Sequence, residues 1–195
     1  MDAFSLLKAD HRKVAELFQQ LESATGKQKL TVFDQIKTEL ELHTHIEEKI
    51  FYPAVEEPKE THELTLEAYE EHDVVKKLLQ QLSKARTAND EWEAQAKVLQ
   101  ENVEHHVEEE ENELFKKASK VLSREEIETL GEEMQAEKER KQRTATKKSG
   151  ASKSASKSQS ASRATKRMSS SRKSASKSGS KSSSKRSKKS AAKKR

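Results

Sequence analysis

The chain has 195 residues, 31% apolar and 37% charged, with no cysteine and no apolar run approaching the roughly 20 residues of a membrane span, so a soluble chain without a membrane partner is expected. The lack of cysteine excludes disulfide scaffolds, thiolate zinc sites, cysteine-ligated iron–sulfur clusters and thiol nucleophiles, which leaves His, Asp, Glu or Tyr to hold any metal. Charge divides unevenly: Arg143 to Arg195 carries 19 Lys and Arg and no acid, while residues 1–142 hold 20 basic against 34 acidic residues, +19 beside −14.

The start, Met1-Asp2-Ala3-Phe4, has no basic segment leading into an apolar run, so no secretory signal is expected and the location is read as cytoplasmic, nucleoid-associated in a bacterium. In the first segment Phe4, Leu7, His11, Val14, Phe18 and Leu21 recur at steps of three and four, the spacing of one inward helix face. Ser23-Ala24-Thr25-Gly26 ends it. The second helix is predicted from about Lys29 to Tyr52, with Phe33, Ile36, Leu40, His43, Glu47 and Ile50 on one seam, and Pro53 and Pro58 are expected to stop it. A third carries Ala68, His72, Val75, Leu79 and Leu82, then gives way to the polar run from Arg86 to Asp90. The fourth, from about Glu91 to Ser119, aligns Trp92, Ala96, Leu99, Val103, His106 and Glu110. Ser123 with Glu125 and Glu126 marks the start of a shorter fifth helix to about Lys141.

Four helices joined by short turns predict an all-α, up-down-up-down bundle. The expected organisation is a bundle over 1–122, an additional helix or linker over 123–142, and a disordered basic tail over 143–195, whose Lys-Ser-Ala steps bury nothing.

Polar residues break each seam. His11, His43, His72 and His106 take inward positions, one per helix, and Glu47 and Glu110 follow His43 and His106 by four residues, about one turn on. A single such histidine is more often a hydrogen-bonded core residue, and a single glutamate is more often solvated. Six together, with no seam Lys or Arg to pair the acids, favour a bound cation, because buried carboxylates need a counterion. Imidazole and carboxylate ligands suit iron, manganese or zinc. His45, His62 and His105 fall off these stripes and read as surface or outer residues. Within Glu108-Glu109-Glu110-Glu111 only Glu110 lies on the inward stripe, and Glu48, beside Glu47, reads as solvent-exposed sooner than as a supplementary ligand reaching around the helix.

His11, the segment from His43 to Pro53, the segment Glu71-His72-Asp73, and the segment from His106 to Phe115 together resemble the hemerythrin-like, HHE cation-binding domain over roughly residues 1–120. The resemblance implies a non-haem di-iron centre, two iron ions held by His11, His43, Glu47, His72, His106 and Glu110, with O₂, peroxide or nitric oxide as small ligands. Oxygen-carrying members have a second histidine one turn after the third-helix one; here that residue is Lys76, which argues against dedicated O₂ carriage and for an open position. Tyr69 lies one turn before His72, near the site or in ordinary packing.

The tail has no aromatic residue to stack on bases, so it is expected to neutralise phosphates without reading sequence, as linker-histone tails do. DNA or another polyanion is the expected partner of residues 143–195. Two other classes remain open: a nucleoid architectural protein with a structural bundle, and a di-iron enzyme that consumes peroxide or oxidises iron.

Overall fold

The computed structural model describes residues 1–144, which are helical apart from short turns, with no strand among them. Helix α1 spans Ala3–Ser23. Helix α2 is α-helical over Lys27–Ile46, π-helical over Glu47–Phe51 and α-helical again over Tyr52–Val55. Helix α3 spans Lys59–Leu82. Helix α4 repeats the pattern of α2: α-helical over Asp90–Glu109, π-helical over Glu110–Leu114, α-helical over Phe115–Val121. A fifth helix, α5, covers 124–144. The expected disordered tail lies outside the described residues, except that Arg143 and Thr144 belong to α5 and correct its boundary.

Local chemistry sets the ends. Asp2 caps α1 by accepting from the Ser5 N–H at 2.9 Å, and Asn89 caps α4 by accepting from the Trp92 N–H at 3.0 Å. Asp90, Glu91 and Glu93 crowd the positive end of the α4 dipole. Ser123 and Glu126 form a reciprocal capping box at the start of α5, with contacts of 2.7 and 3.2 Å. Gly26, at φ +55°, makes the turn between α1 and α2.

The second helix passes through Pro53 instead of stopping before it. In the π-turn the Tyr52 N–H donates to the Glu47 carbonyl, five residues back, so the hydrogen-bond ladder is already out of α register where the proline lacks its donor.

The apolar side chains form two clusters. One gathers Phe18, Phe33, Ile36, Leu79, Trp92 and Leu99; the other gathers Leu7, Ile46, Phe51, Tyr52, Leu114, Phe115 and Met134. Between the two clusters each of the four long helices buries polar side chains, Asp10 and His11, then His43, Thr44 and Glu47, then His72, then His106 and Glu110, so the bundle carries a polar layer between two apolar ones. Helix α5 packs on the second cluster through Met134, which is fully buried, and through Gly131, where a side chain would collide with the backbone of Met1 to Ala3.

Candidate metal centre

All six residues expected to face inward are buried in the polar layer, each 5% exposed or less. One ligand atom from each of His11, His43, Glu47 and Glu110 lies within 4.8 Å of the others, and the same holds for Glu47, His72 and His106. Glu47 belongs to both groups and stands between them. The contacts are close: His11 Nε2 is 3.2 Å from His43 Nε2 and from Glu110 Oε2, His43 Nε2 is 3.1 Å from Glu47 Oε2, and His72 Nε2 is 3.4 Å from Glu47 Oε2 and 3.3 Å from His106 Nε2.

The outer face of the layer fixes which ring nitrogens carry protons. His11 Nδ1 donates to Glu111 at 2.7 Å, His72 Nδ1 to Glu48 at 3.0 Å, and His106 Nδ1 to Glu71 at 2.7 Å. A carboxylate can only accept, so the proton of each of these rings sits on Nδ1 and, in the neutral ring, the Nε2 lone pair points inward. Four imidazole Nε2 atoms, three of them with the proton placed on Nδ1, then meet two carboxylates whose four oxygens have no hydrogen-bond partner among the described residues. A convergence of lone pairs this dense is repulsive without positive charge inside it. Ligands about 2.1 Å from one ion and roughly 90–110° apart stand about 3.0–3.4 Å from one another, and the observed nitrogen separations fall in that range. The donor set therefore fits metal ions.

The protonation of the metal-free cluster tells the same story. Burial, then the Glu110 charge, pushes the Glu47 carboxyl well above its ordinary value, since two buried carboxylates so close cannot both ionise. Burial opposes charge on His11, yet the Glu110 carboxylate 3.2 Å from its Nε2 outweighs it and raises the imidazole to about 9. Burial, aided by a charged His11, lowers His43 to about 4. Without a cation the layer takes up protons in its place.

Four participants were hidden from periodicity. Glu48 and Glu111, expected to be solvated, brace His72 and His11, and Glu71 braces His106. Each sits next to a seam residue, about 100° round the helix, which aims it at the rim of a neighbouring helix instead of at solvent. The signal that could have found them is the doubling of Glu-Glu after each inward turn and the acid before each lone histidine. Tyr52 is the fourth: its hydroxyl lies 3.2 Å from His72 Nε2. A five-residue step from Glu47 would put it about 140° off the seam in an α-helix, and the π-turn brings it back. The matching position in α4 is Phe115, whose ring stacks on His11 with centroids 6.3 Å apart.

Tyr69 packs edge-on against Tyr52, one layer out. Lys76 points outward and pairs with Glu48 at 2.6 Å. His45 pairs with Glu137 on α5 at 2.7 Å, and His62 sits against the Glu56 carbonyl at 2.8 Å. Glu71, His105 and Glu109 form a further donor group at the surface, but Glu71 is already engaged by His106. Beneath the histidines lies a small apolar cavity walled by Val14, Leu40, Val75, Val103 and Val107, about 10 Å³ and so wide enough for the centre of one water-sized molecule. No helix among the described residues is long and apolar enough to cross a membrane.

The family model described as the hemerythrin HHE cation-binding domain matches residues 2–118. A curated protein from Nostoc sp. named DNA nickase is 31% identical over 153 residues, covering 77% of this chain. This chain spans only 43% of that relative's length. Among solved structures, a hemerythrin HHE cation-binding domain-containing protein from Mycobacterium kansasii superposes with a TM-score of 0.67 at 26% identity, covering 76% of this chain and 91% of that one.

Proposed function

The chain belongs to the hemerythrin HHE cation-binding domain family, and from that premise we propose that its bundle is a non-haem di-iron centre that binds or reacts with O₂, peroxide or nitric oxide, held near DNA by the basic tail. The ligands are His11, His43, Glu47, His72, His106 and Glu110. What carries the reading is the pair of buried glutamates whose four oxygens find no hydrogen-bond partner among the described residues while the Nε2 atoms of four imidazoles face them.

Iron bound there supplies one-electron chemistry and open positions for a small ligand. The chain's own residues do the rest. Glu48, Glu71 and Glu111 hold three imidazoles in one tautomer and orientation. The apolar side chains beneath the site leave room for no more than one small guest. Tyr52 offers a phenolic O–H beside His72, as a proton donor or an added ligand on that side. A phosphodiester is far larger than this cavity, so the nicking activity in the Nostoc relative's name is not carried over to the buried site. That name does favour DNA over other polyanions as the partner of residues 143–195.

Metal analysis of the full chain should give close to two irons per molecule, and His106→Ala should lower it; unchanged metal in that variant defeats the ligand assignment. Gel-shift titration across salt tests the tail. Full-length protein should bind duplex DNA with a log–log salt slope of about −0.9 per phosphate neutralised, and a chain ending at Thr144 should not. Equal binding by the two would remove the tail from the function.

A further inference from the structure

The carboxylates bracing the histidines follow a two-fold pattern. The residue before each lone-helix histidine, Asp10 or Glu71, faces the histidine of the next helix, His43 or His106. The residue after each inward glutamate, Glu48 or Glu111, faces the lone histidine of the other helix pair, His72 or His11. Three of these four contacts are hydrogen bonds of 2.7 to 3.0 Å. The fourth is broken. Asp10 Oδ2 stands 3.8 Å from His43 Nδ1, and neither atom has a hydrogen-bond partner among the described residues.

Asp10 is occupied elsewhere. Its other oxygen accepts from Lys138, which reaches in from α5, outside the four-helix pattern. Both side chains are largely shielded, Lys138 at 14% and Asp10 at 10% exposure. Helix α5 is held in place independently of this contact: Met134 is buried, Gly131 lies against the chain's first residues, and Glu137 accepts from His45, Lys49 and Arg140. Asp10 is also one methylene shorter than its counterpart Glu71, so it cannot serve Lys138 and His43 together.

We infer that Lys138 is a positioning residue of the metal centre: by holding Asp10 away from His43 it leaves that imidazole the weakest donor of the four, so that the His11/His43 side releases its ion first. The inference rests on the metal-binding reading. A carboxylate that accepts from Nδ1–H makes Nε2 more basic, and losing such a partner costs about 10- to 100-fold in metal affinity. Three imidazoles have this support and His43 does not. The same α5 that carries Lys138 is the segment through which the chain passes into its basic run.

The test uses the full chain loaded with ⁵⁷Fe(II), followed by Mössbauer spectroscopy and by release to a chelator. Wild type should load two irons and release them in two phases; loading fewer removes the metal-binding premise, and release in one phase overturns the inference alone. Lys138→Met frees Asp10 to accept from His43, so the fast phase should slow by about 10-fold and one of the two iron doublets should shift. Lys138→Arg should retain wild-type behaviour. Asp10→Glu, which can span to His43 with Lys138 in place, should act like Lys138→Met. Faster release from Lys138→Met, or unchanged release and spectra with only a lowered melting temperature, would make Lys138 a clamp of the fold and nothing more. If Lys138→Met does not fold, Asp10→Glu decides alone, and wild-type spectra and release from it overturn the inference.

Discussion

Substituting Glu47 by Gln should shift stability in opposite directions with and without metal. In the metal-free chain, burial and the Glu110 charge hold the Glu47 carboxyl well above 4.5. A carboxyl held protonated in the folded chain and ionised in the unfolded one costs folding about 1.4 kcal/mol for each pH unit above 4.5 over which it stays protonated, at most on the order of 3 kcal/mol at pH 7. Glutamine is neutral in both states and removes that cost. Allowing about 1–2 kcal/mol for an imperfectly paired amide, chelator-treated Glu47→Gln should be more stable than wild type at pH 7 by up to about 2 kcal/mol, or roughly 2–8 °C in Tm. The folded carboxyl titrates higher than the unfolded one, so the cost is absent below about 4.5 and grows as pH rises. The gain should therefore shrink as pH falls and reverse by pH 4.5, where only the cost of the amide is left. With metal present the order reverses: wild type gains about 2.7 kcal/mol at a metal concentration 100 times Kd, and the variant lacks the ligand common to both donor groups. Thermal melts by circular dichroism, with and without chelator at pH 4.5 and 7, measure all of this. A variant destabilised at pH 7 without metal, or as stable as wild type with it, would refute a charged Glu47 at a metal centre.

Tyr52→Phe keeps the ring that packs on Tyr69 but removes the hydroxyl at His72, so metal-free stability should fall by only about 1 kcal/mol while metal titration shows one of two ions weakened. Glu111→Gln should cost about 10-fold in metal affinity through His11, whereas Glu108→Gln, on the exposed face of the same acidic run, should change nothing in the same titration. Gly131→Ala places a methyl group against the Met1 carbonyl and 2.7 Å from the Ala3 amide nitrogen, backbone atoms that no rotamer change can move. The resulting strain of about 1–3 kcal/mol should exceed the roughly 1 kcal/mol that alanine gains in a helix. Limited proteolysis should then cut within 124–144 faster than in wild type, and unchanged cutting would show that α5 does not depend on that close approach.

Much of the fold was legible because each long helix carries one apolar face at a strict step of three and four, interrupted once, and the interruptions fall at matching depths. His11, His43, His72 and His106 could be placed on those faces from spacing alone. What spacing missed has two physical causes. The π-turns at Glu47–Phe51 and Glu110–Leu114 add a residue to one turn, and no side-chain propensity announces that, so Tyr52 was read only as the end of the helix and Pro53 as its stop. The outer acids were missed because a helical period assigns a residue to inside or outside its own helix, while Glu48, Glu71 and Glu111 act across to the next one.

That crossing has a consequence for how the two halves of the bundle depend on each other. The α1–α2 half supplies His11, His43 and Glu47 but not the brace of His11, which is Glu111 from α4. The α3–α4 half supplies His72, His106 and Glu110 but not the brace of His72, which is Glu48 from α2. The shared carboxylate, Glu47, reaches His72 at 3.4 Å across the same boundary. A single helix pair thus leaves one imidazole, His11 or His72, unbraced and with a free tautomer beside an unpaired acid, a poorer site than the docked bundle. Docking of the halves completes the donor set, and a bound cation in turn offsets the repulsion between Glu47 and Glu110 that docking creates. Folding of the bundle and loading of the centre are therefore linked equilibria, each favouring the other.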